Sequence, residues 1–256
     1  METSLHRMLK AHYAADDSQI EVRVGAYRID AIDYQGNLVE VQHAGLGAIR
    51  NKVAKLLETH SVRVIKPIIA NKWVHTVDAK SLKTIRRRRS PKRSNHLDVF
   101  ASLLHFTQVF PNSRLTIEVP LLDVEEVRVP EKKRRIRSKQ YRVLDQTIVS
   151  IHDELTFHDT SDLWRMVSMQ PGFAPVMQVD QSKTRQKRHK VTQQLIFDTS
   201  ILAQWLDRPR WFAQQVAYVL HRCGVTSEIG KAGNAKLYQV DSRLVVLPES
   251  DAPAAA

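Results

Sequence analysis

The sequence predicts an α/β domain, a mixed sheet flanked by helices, followed by a smaller α+β module. Three observations predict it. β-Branched and aromatic residues gather into strand-like runs between residues 20 and 74. Apolar residues at three- and four-residue spacing mark helices before and between those runs. The last part of the chain reads helix, turn, longer helix, hairpin. The order helix, strand, strand, helix, strand in the first part implies helices layered on a mixed sheet. Four stretches follow: a first domain over 1–125, a basic connection over 126–190, the closing module over 191–248, and a disordered tail over 249–256.

A chain of 256 residues can bury a sizeable core and hold two domains. Its hydrophobic fraction of 43% and charged fraction of 26% are ordinary for a soluble globular protein. Its formal charge of +12 is not ordinary, and favours an anionic partner, of which nucleic acid is the commonest. The basic residues are not gathered on one amphipathic helix, which argues against a membrane surface. With Cys223 the sole cysteine, no internal disulfide or thiolate metal site is expected. There is no signal-peptide pattern and no long apolar run, so a cytoplasmic protein with no membrane partner is expected.

Residues 3–15 read as a helix, with Leu5, Met8, Leu9 and His12 recurring at helical spacing and Glu2 at its start. Residues 20–42 read as two strands. Val22, Val24, Tyr27 and Ile29 form the first, Gln35-Gly36-Asn37 turns the chain, and Leu38 to Gln42 return. Asp30 ends the first strand's apolar run. Glu40 and Gln42, two apart, share one face of the second, while Val39 and Val41 point into a core. Polar side chains on a buried-looking strand need partners. A divalent metal is one partner that would satisfy both Asp30 and Glu40.

A second helix spans 46–59, with Ile49, Val53, Leu56 and Leu57 apolar. An apolar strand follows around VRVIKPII, and Lys72-Trp73-Val74 extend it. Residues 83–96, KTIRRRRSPKRSNH, read either as a solvated loop or as a contact for a phosphate backbone. Helix 97–109 and strand 115–119 come next, then a basic excursion over 129–142. Residues 141–151 fit a strand or a short helix, 161–169 a capped helix, and 182–190 a basic linker.

In the closing module, Thr199-Ser200 caps a short helix ending at Leu206. Pro209 suits the first position of the next helix, which carries Phe212, Val216, Val219 and Leu220 on one face and stops at Gly224. A hairpin with the tip Gly230-Lys231-Ala232-Gly233-Asn234 closes the pattern of a winged helix-turn-helix. Arg208, Arg210, Gln214 and Gln215 sit where base-contacting side chains lie in such modules. Lys231, Asn234 and Lys236 sit on the wing. The same module could instead serve protein contacts.

The segments LHRMLKAHY, YRIDAI, VEVQ and IRNKVAKLL resemble the PD-(D/E)XK nuclease superfamily, the restriction-endonuclease-like proteins. With RRRRSPKR and the closing YVLHRCGVTSEIGKAGNAKLY, the chain also looks like bacterial proteins that join such a domain to a C-terminal winged helix. The resemblance implies an early-helix glutamate, Glu2, and a metal site of Asp30 and Glu40. It implies magnesium, or manganese in its place, as cofactor, and DNA as partner, with a homodimer among the assemblies it allows. The motif's usual lysine is here Gln42, which carries no positive charge. Lys52 on the following helix is the lysine that could reach the same place, or it faces solvent. The implied activity is metal-dependent DNA hydrolysis. The alternatives are a DNA-binding protein that keeps the fold without catalysis, and a winged-helix adaptor for proteins.

Overall fold

The computed structural model describes residues 2–131, 140–175, 177–179 and 193–245. The basic stretch 182–190 and the tail 249–256 lie outside the described residues, as does most of the excursion at 129–142. The chain forms two compact units, residues 1–158 and 159–256.

The first unit opens with helix α1 (Ser4–Tyr13). The strand expected next is instead broken: β1 (Arg23–Val24) and β2 (Tyr27–Arg28) make a small separate hairpin. Gly25 turns it at φ +56°, a conformation that suits a residue without Cβ. Then come β3 (Ala31–Ile32) and β4 (Leu38–Val41), antiparallel across the expected turn at Gly36. Asp33 holds that turn, its carboxylate accepting the backbone N–H of Gln35 and of Asn37, each at 2.9 Å. Helix α2 (Arg50–Leu56) crosses over to β5 (Val62–Ile65), which runs parallel to β4.

Pro67 separates β5 from β6 (Ile68–Val77). The run expected as a solvated loop is instead β7 (Thr84–Arg89), antiparallel to β6 at the sheet's edge and exposed throughout. Helix α3 (Val99–Leu103) leads to β8 (Leu115–Pro130), and β8 pairs with β9 (Tyr141–Phe157). The expected connection at 126–190 therefore begins inside the sheet. The described ends of the stretch read as an exposed excursion, Val129-Pro130 and Tyr141-Arg142, belong to these two strands. One edge of β8 carries β5 at Leu115–Glu118 and then β6 at Leu121–Arg128, both parallel to it. The seven-stranded sheet is thus mixed.

Helix α1 buries Leu5, Leu9 and Tyr13 against Ala31, Val39, Val41, Ile65, Leu122 and Val124. Burying an apolar side chain of this size contributes about 1.5–3 kcal/mol. Polar ties orient the helix. The Ser4 N–H and hydroxyl donate to Asp145 at 2.7 and 2.6 Å, and the Tyr13 hydroxyl donates to Glu154. Beneath Tyr13, Arg63 donates to Glu118 at 2.6 Å and lies 5.0 Å from the tyrosine ring centroid. Burial and the adjacent Glu154 hold the Glu118 carboxyl up to about 7.

The second unit begins with α4 (Thr160–Ser168), so its boundary falls earlier than the expected residue 191. Strands β10 (Met177–Val179) and β11 (Gln193–Phe197) pair antiparallel. Helices α5 (Thr199–Leu206) and α6 (Arg210–Arg222) follow, and the hairpin β12 (Thr226–Ala232) and β13 (Ala235–Val240) closes the unit. Strand β11 pairs with β13, giving the order β10-β11-β13-β12. Phe197 centres an aromatic core, its ring 5.2 Å from Trp205, 5.9 Å from Tyr238 and 6.5 Å from Trp164. Gly172 packs so closely under α5 that a Cβ there would meet the carbonyl oxygens of Gln204 and Trp205 at 2.8 Å.

At the end of β5, Lys66 is only 5% exposed, and its ammonium donates to the His43 carbonyl at 2.7 Å. Burial pushes its pKa down from 10.5 to about 8. The folded state therefore binds this proton less well than the unfolded chain, and Lys66 costs stability below pH 8. Lys66→Met should relieve about 3 kcal/mol at pH 7, at 1.36 kcal/mol per pKa unit, and lose about 1 kcal/mol of hydrogen bond. A net gain of about 2 kcal/mol is expected in urea unfolding at pH 7, fading as pH rises towards 10.5.

Candidate functional site

The pleat of β4 sends Val39 and Val41 towards α1 and Glu40 the opposite way, towards α2. Glu40 is 4% exposed. Lys52, on α2, places its ammonium 2.5 Å from Glu40 Oε1 and also donates to the Arg28 carbonyl at 2.5 Å. The Lys52 contact with Oε1 is an ion pair without regular hydrogen-bond geometry. Burial raises the Glu40 carboxyl above its ordinary pKa, opposed by Lys52 and reinforced by the nearby Asp30 charge.

Asp30 sits just before β3. Its Oδ2 accepts the Val41 N–H at 2.9 Å, and its Oδ1 lies 3.3 Å from His6 Nε2. Burial works against its charged form, but His6 and the Val41 N–H outweigh that and hold the carboxyl below the usual aspartate range. The two acidic residues are thus brought together where β4 ends, one held by α2 and the other by α1.

Glu2, just before α1, reaches this cluster through two residues of the helix. Its Oε1 lies 2.5 Å from Lys10 Nζ and 3.7 Å from His6 Nε2. His6 and Lys10, four residues apart, share one face of α1, and Glu2 reaches back to both from just before the helix. Lys10, buried despite its charge, also meets Glu21 at 2.5 Å, and Glu21 in turn pairs with Arg28. Together Glu2 and Glu21 raise the Lys10 pKa against the opposing effect of burial. His6, Lys10 and Glu21 were missed in the sequence. The four-residue repeat in α1 was the signal that could have found them.

Gln42 departs from expectation. Its side-chain amide donates to the Gly45 carbonyl at 3.1 Å, so it caps the loop leaving β4 rather than joining the carboxylates. Lys52, by contrast, lies in the cluster, since α2 is docked by the buried Val53 and Leu56. Among the described residues, no three His, Cys, Asp or Glu side chains are grouped so as to hold a metal by themselves.

In the second unit the expected contact residues spread over α6 and the hairpin. Arg208 lies over the Phe212 ring, 5.8 Å from its centroid, and Arg210 donates to the Thr199 hydroxyl at 3.2 Å. Gln214 is exposed, whereas Gln215 is half-buried with its side-chain oxygen enclosed. Lys231 and Asn234 are exposed, and Lys236 pairs with Glu228 across the hairpin at 2.8 Å. Two exposed aromatics on α6 were missed, Trp211 and Tyr218, 61% and 46% exposed. Their spacing of seven residues places them on Gln214's side of the helix.

Removing one member of a buried ion pair costs about 3–5 kcal/mol, and less where one partner reaches water, as Lys52 does at 22% exposure. Lys52→Met should therefore destabilise the protein by about 2 kcal/mol in urea unfolding at pH 8. The loss should shrink on acidification, because Glu40, left without its cation, takes up a proton more readily in the folded state than in the unfolded chain. Lys52→Met combined with Glu40→Gln should recover most of the stability. A double variant as unstable as the single one would show that Lys52 acts through packing alone.

Comparison with known proteins adds a family. A protein of Treponema pallidum (strain Nichols), titled "Uncharacterized protein", is 26% identical over 162 residues, which cover 63% of this chain and 64% of that protein. The chain thus spans less than two thirds of that relative's length. No solved structure matches it. A family model described as "Domain of unknown function (DUF8091)" matches residues 3–158, nearly the whole first unit. The chain therefore belongs to the DUF8091 family, and its first unit is that domain.

Proposed function

We propose that the first unit is a metal-dependent phosphodiesterase of the PD-(D/E)XK type acting on DNA, and that the second unit is a winged helix that holds the DNA. The observation that carries the reading is the meeting of Asp30, Glu40 and Lys52 at the end of β4. The α1, β3, β4, α2, β5 order, with parallel β4 and β5 joined through α2, supports the resemblance stated above.

The donor set fits magnesium. That ion takes hard oxygen ligands, commonly one or two carboxylates completed by waters and substrate phosphates. Glu40 Oε1 is enclosed and faces the Lys52 ammonium at 2.5 Å, so the oxygen already balances one positive charge and a bound cation would take that place. Asp30 and Glu40 are the residues that would hold the ion. When bound, magnesium would polarise a phosphate oxygen and acidify a water.

The chain's own groups define the rest. The Val41 N–H fixes the Asp30 carboxylate, so that group needs no reordering to bind a ligand. Lys52 supplies the positive charge that Gln42 lacks, in a half-buried place where charge acts more strongly than in water. His6 links Glu2 to Asp30, its Nε2 3.7 Å from the one and 3.3 Å from the other.

For the second unit, the support is topological. Helix α4, strands β10 and β11, helices α5 and α6, and a hairpin whose last strand lies between β11 and its own partner follow in an order that supports the winged-helix reading. Exposed Gln214 on α6 and exposed Lys231 and Asn234 on the hairpin present donors to the outside.

Purified protein should cleave duplex, single-stranded or branched DNA only with magnesium or manganese. Asp30→Asn and Glu40→Gln should each abolish cleavage and leave DNA binding within about twofold, since loss of one ligand removes the ion but not the phosphate contacts made by other residues. Cleavage that persists in both variants would place the activity elsewhere.

The closing hairpin makes a separate expectation. Lys231→Ala should lower the log–log salt slope of DNA binding by about 0.9, the value for one phosphate contact, on every sequence alike. Lys236→Ala should change it less, because Glu228 already neutralises that ammonium. Equal slopes for wild type and Lys231→Ala in a salt titration would remove the hairpin from the interface.

A further inference from the structure

The segment 78–95 holds eight lysines and arginines against one aspartate, Asp78, a net +7 within a chain of net +12. The structure gives this charge a shape. Thr84 to Arg89 form the exposed edge strand β7. Its pleat sorts the four consecutive arginines into two pairs.

One pair is held. Arg87 donates to Glu125 at 3.0 Å, and Arg89 donates to Asn71 at 2.8 Å with its guanidinium 5.5 Å from the Trp73 ring centroid. The other pair, Arg86 and Arg88, lies on the opposite face beside Thr76 and Val74. Neither has a side-chain partner among the described residues. A charged edge strand can simply discourage sheets from joining edge to edge, but one or two lysines suffice for that. Four arginines in register go further, since each guanidinium offers a planar fork of donors matched to phosphate.

We propose that the β7 edge of the first unit is a binding surface for the phosphate backbone of DNA, with Arg86 and Arg88 as its contacting pair. The match is one of charge and spacing. The two arms leave the strand about 7 Å apart, twice the rise per residue of a β-strand. On one DNA strand charges recur about every 3.4 Å of helix axis, and farther apart along the winding backbone itself, so the pair can engage phosphates of a single backbone. Arg87 and Arg89 stiffen the strand from the other face. The surface reads no sequence, since phosphate contacts position a protein without distinguishing bases. The inference rests on the nucleic-acid reading above but not on metal binding or cleavage. It assigns the first unit its own contact with DNA, separate from the second unit's.

The test is a salt titration of duplex DNA binding by the full chain, without divalent metal. The proteins are wild type, R86Q/R88Q and R86K/R88K. The glutamine variant should bind more weakly on every duplex, with a log–log slope shallower by up to about two units, at about 0.9 per lost phosphate contact. The lysine variant should keep the wild-type slope, because counterion release follows charge. Both substitutions are on exposed side chains, and thermal unfolding should be unchanged. A wild-type slope in R86Q/R88Q would overturn the proposal, as would a lysine variant as shallow as the glutamine one. Wild type that prefers polyglutamate to DNA at equal charge would overturn it in favour of an acidic protein strand. Wild type with no affinity for DNA at any salt would overturn the nucleic-acid reading itself.

Discussion

The first unit is built on the backbone hydrogen-bonding capacity of one strand. Strand β8 is 16 residues long and takes β9 along one edge and β5, then β6, along the other. Two prolines lie at the changeover, Pro67 between β5 and β6 and Pro120 between the two parts of β8 that receive them. A residue without an N–H is tolerated where a ladder is interrupted. Strand β4 is carried on β5, and β7 on β6, so the carboxylate cluster and the arginine edge are set at different ends of one scaffold. Helix α1 depends on the same strand, because Leu122 and Val124 of β8 form part of the surface that buries it.

The sequence made much of this legible, and the failures have physical causes. The alternation of Val39, Glu40 and Val41 announced a strand with two different faces, and the faces are as expected. The helices at α1, α2, α4, α5 and α6 follow from their apolar spacing, but the caps of α4 and α5 are Asp159 and Asp198, just ahead of the Ser161 and Thr199-Ser200 expected there. The long strands did not stand out. In β9, charged and polar residues alternate with few large apolar ones, because much of that strand is partly exposed. In β7, four arginines hid a strand, since intrinsic preference there is weak and pairing with β6 decides the conformation. Gly25 broke a run that looked continuous by its β-branched residues. Each miss is a place where long-range pairing or a single turn overrode local composition.

The site was legible only where its residues belong to one strand pair. Asp30 and Glu40 lie in adjacent segments, and the turn at Gly36 brings them together by local geometry. His6 and Lys10 arrive from α1, whose docking is decided by apolar contacts distant in sequence. That docking buries Lys10 almost fully, and so large a desolvation cost is tolerable only because Glu2 and Glu21 both reach its ammonium. The cluster is therefore a compensated one. Each buried charge has a partner supplied by a different element, and the elements cannot shift independently without leaving a charge exposed to the low-dielectric interior.

The placement of Lys52 rather than a strand lysine at position 42 changes what the cluster depends on. A lysine two residues after Glu40 would share its face by the pleat alone, whatever the packing of the helices. Lys52 comes from α2, so its distance to Glu40 is set by how Val53 and Leu56 seat that helix. The same ammonium also donates to the carbonyl of Arg28, at the end of the small β1–β2 hairpin. One cation thus joins α2, β4 and the hairpin, and its charge is shared between holding these elements and balancing Glu40. An anion entering beside Asp30 and Glu40 would compete for that cation. Drawing Lys52 away from Glu40 would release a carboxylate already short of hydrogen-bond donors. In the metal-dependent reading proposed above, binding an anion and freeing Glu40 for a divalent cation would therefore be coupled through Lys52.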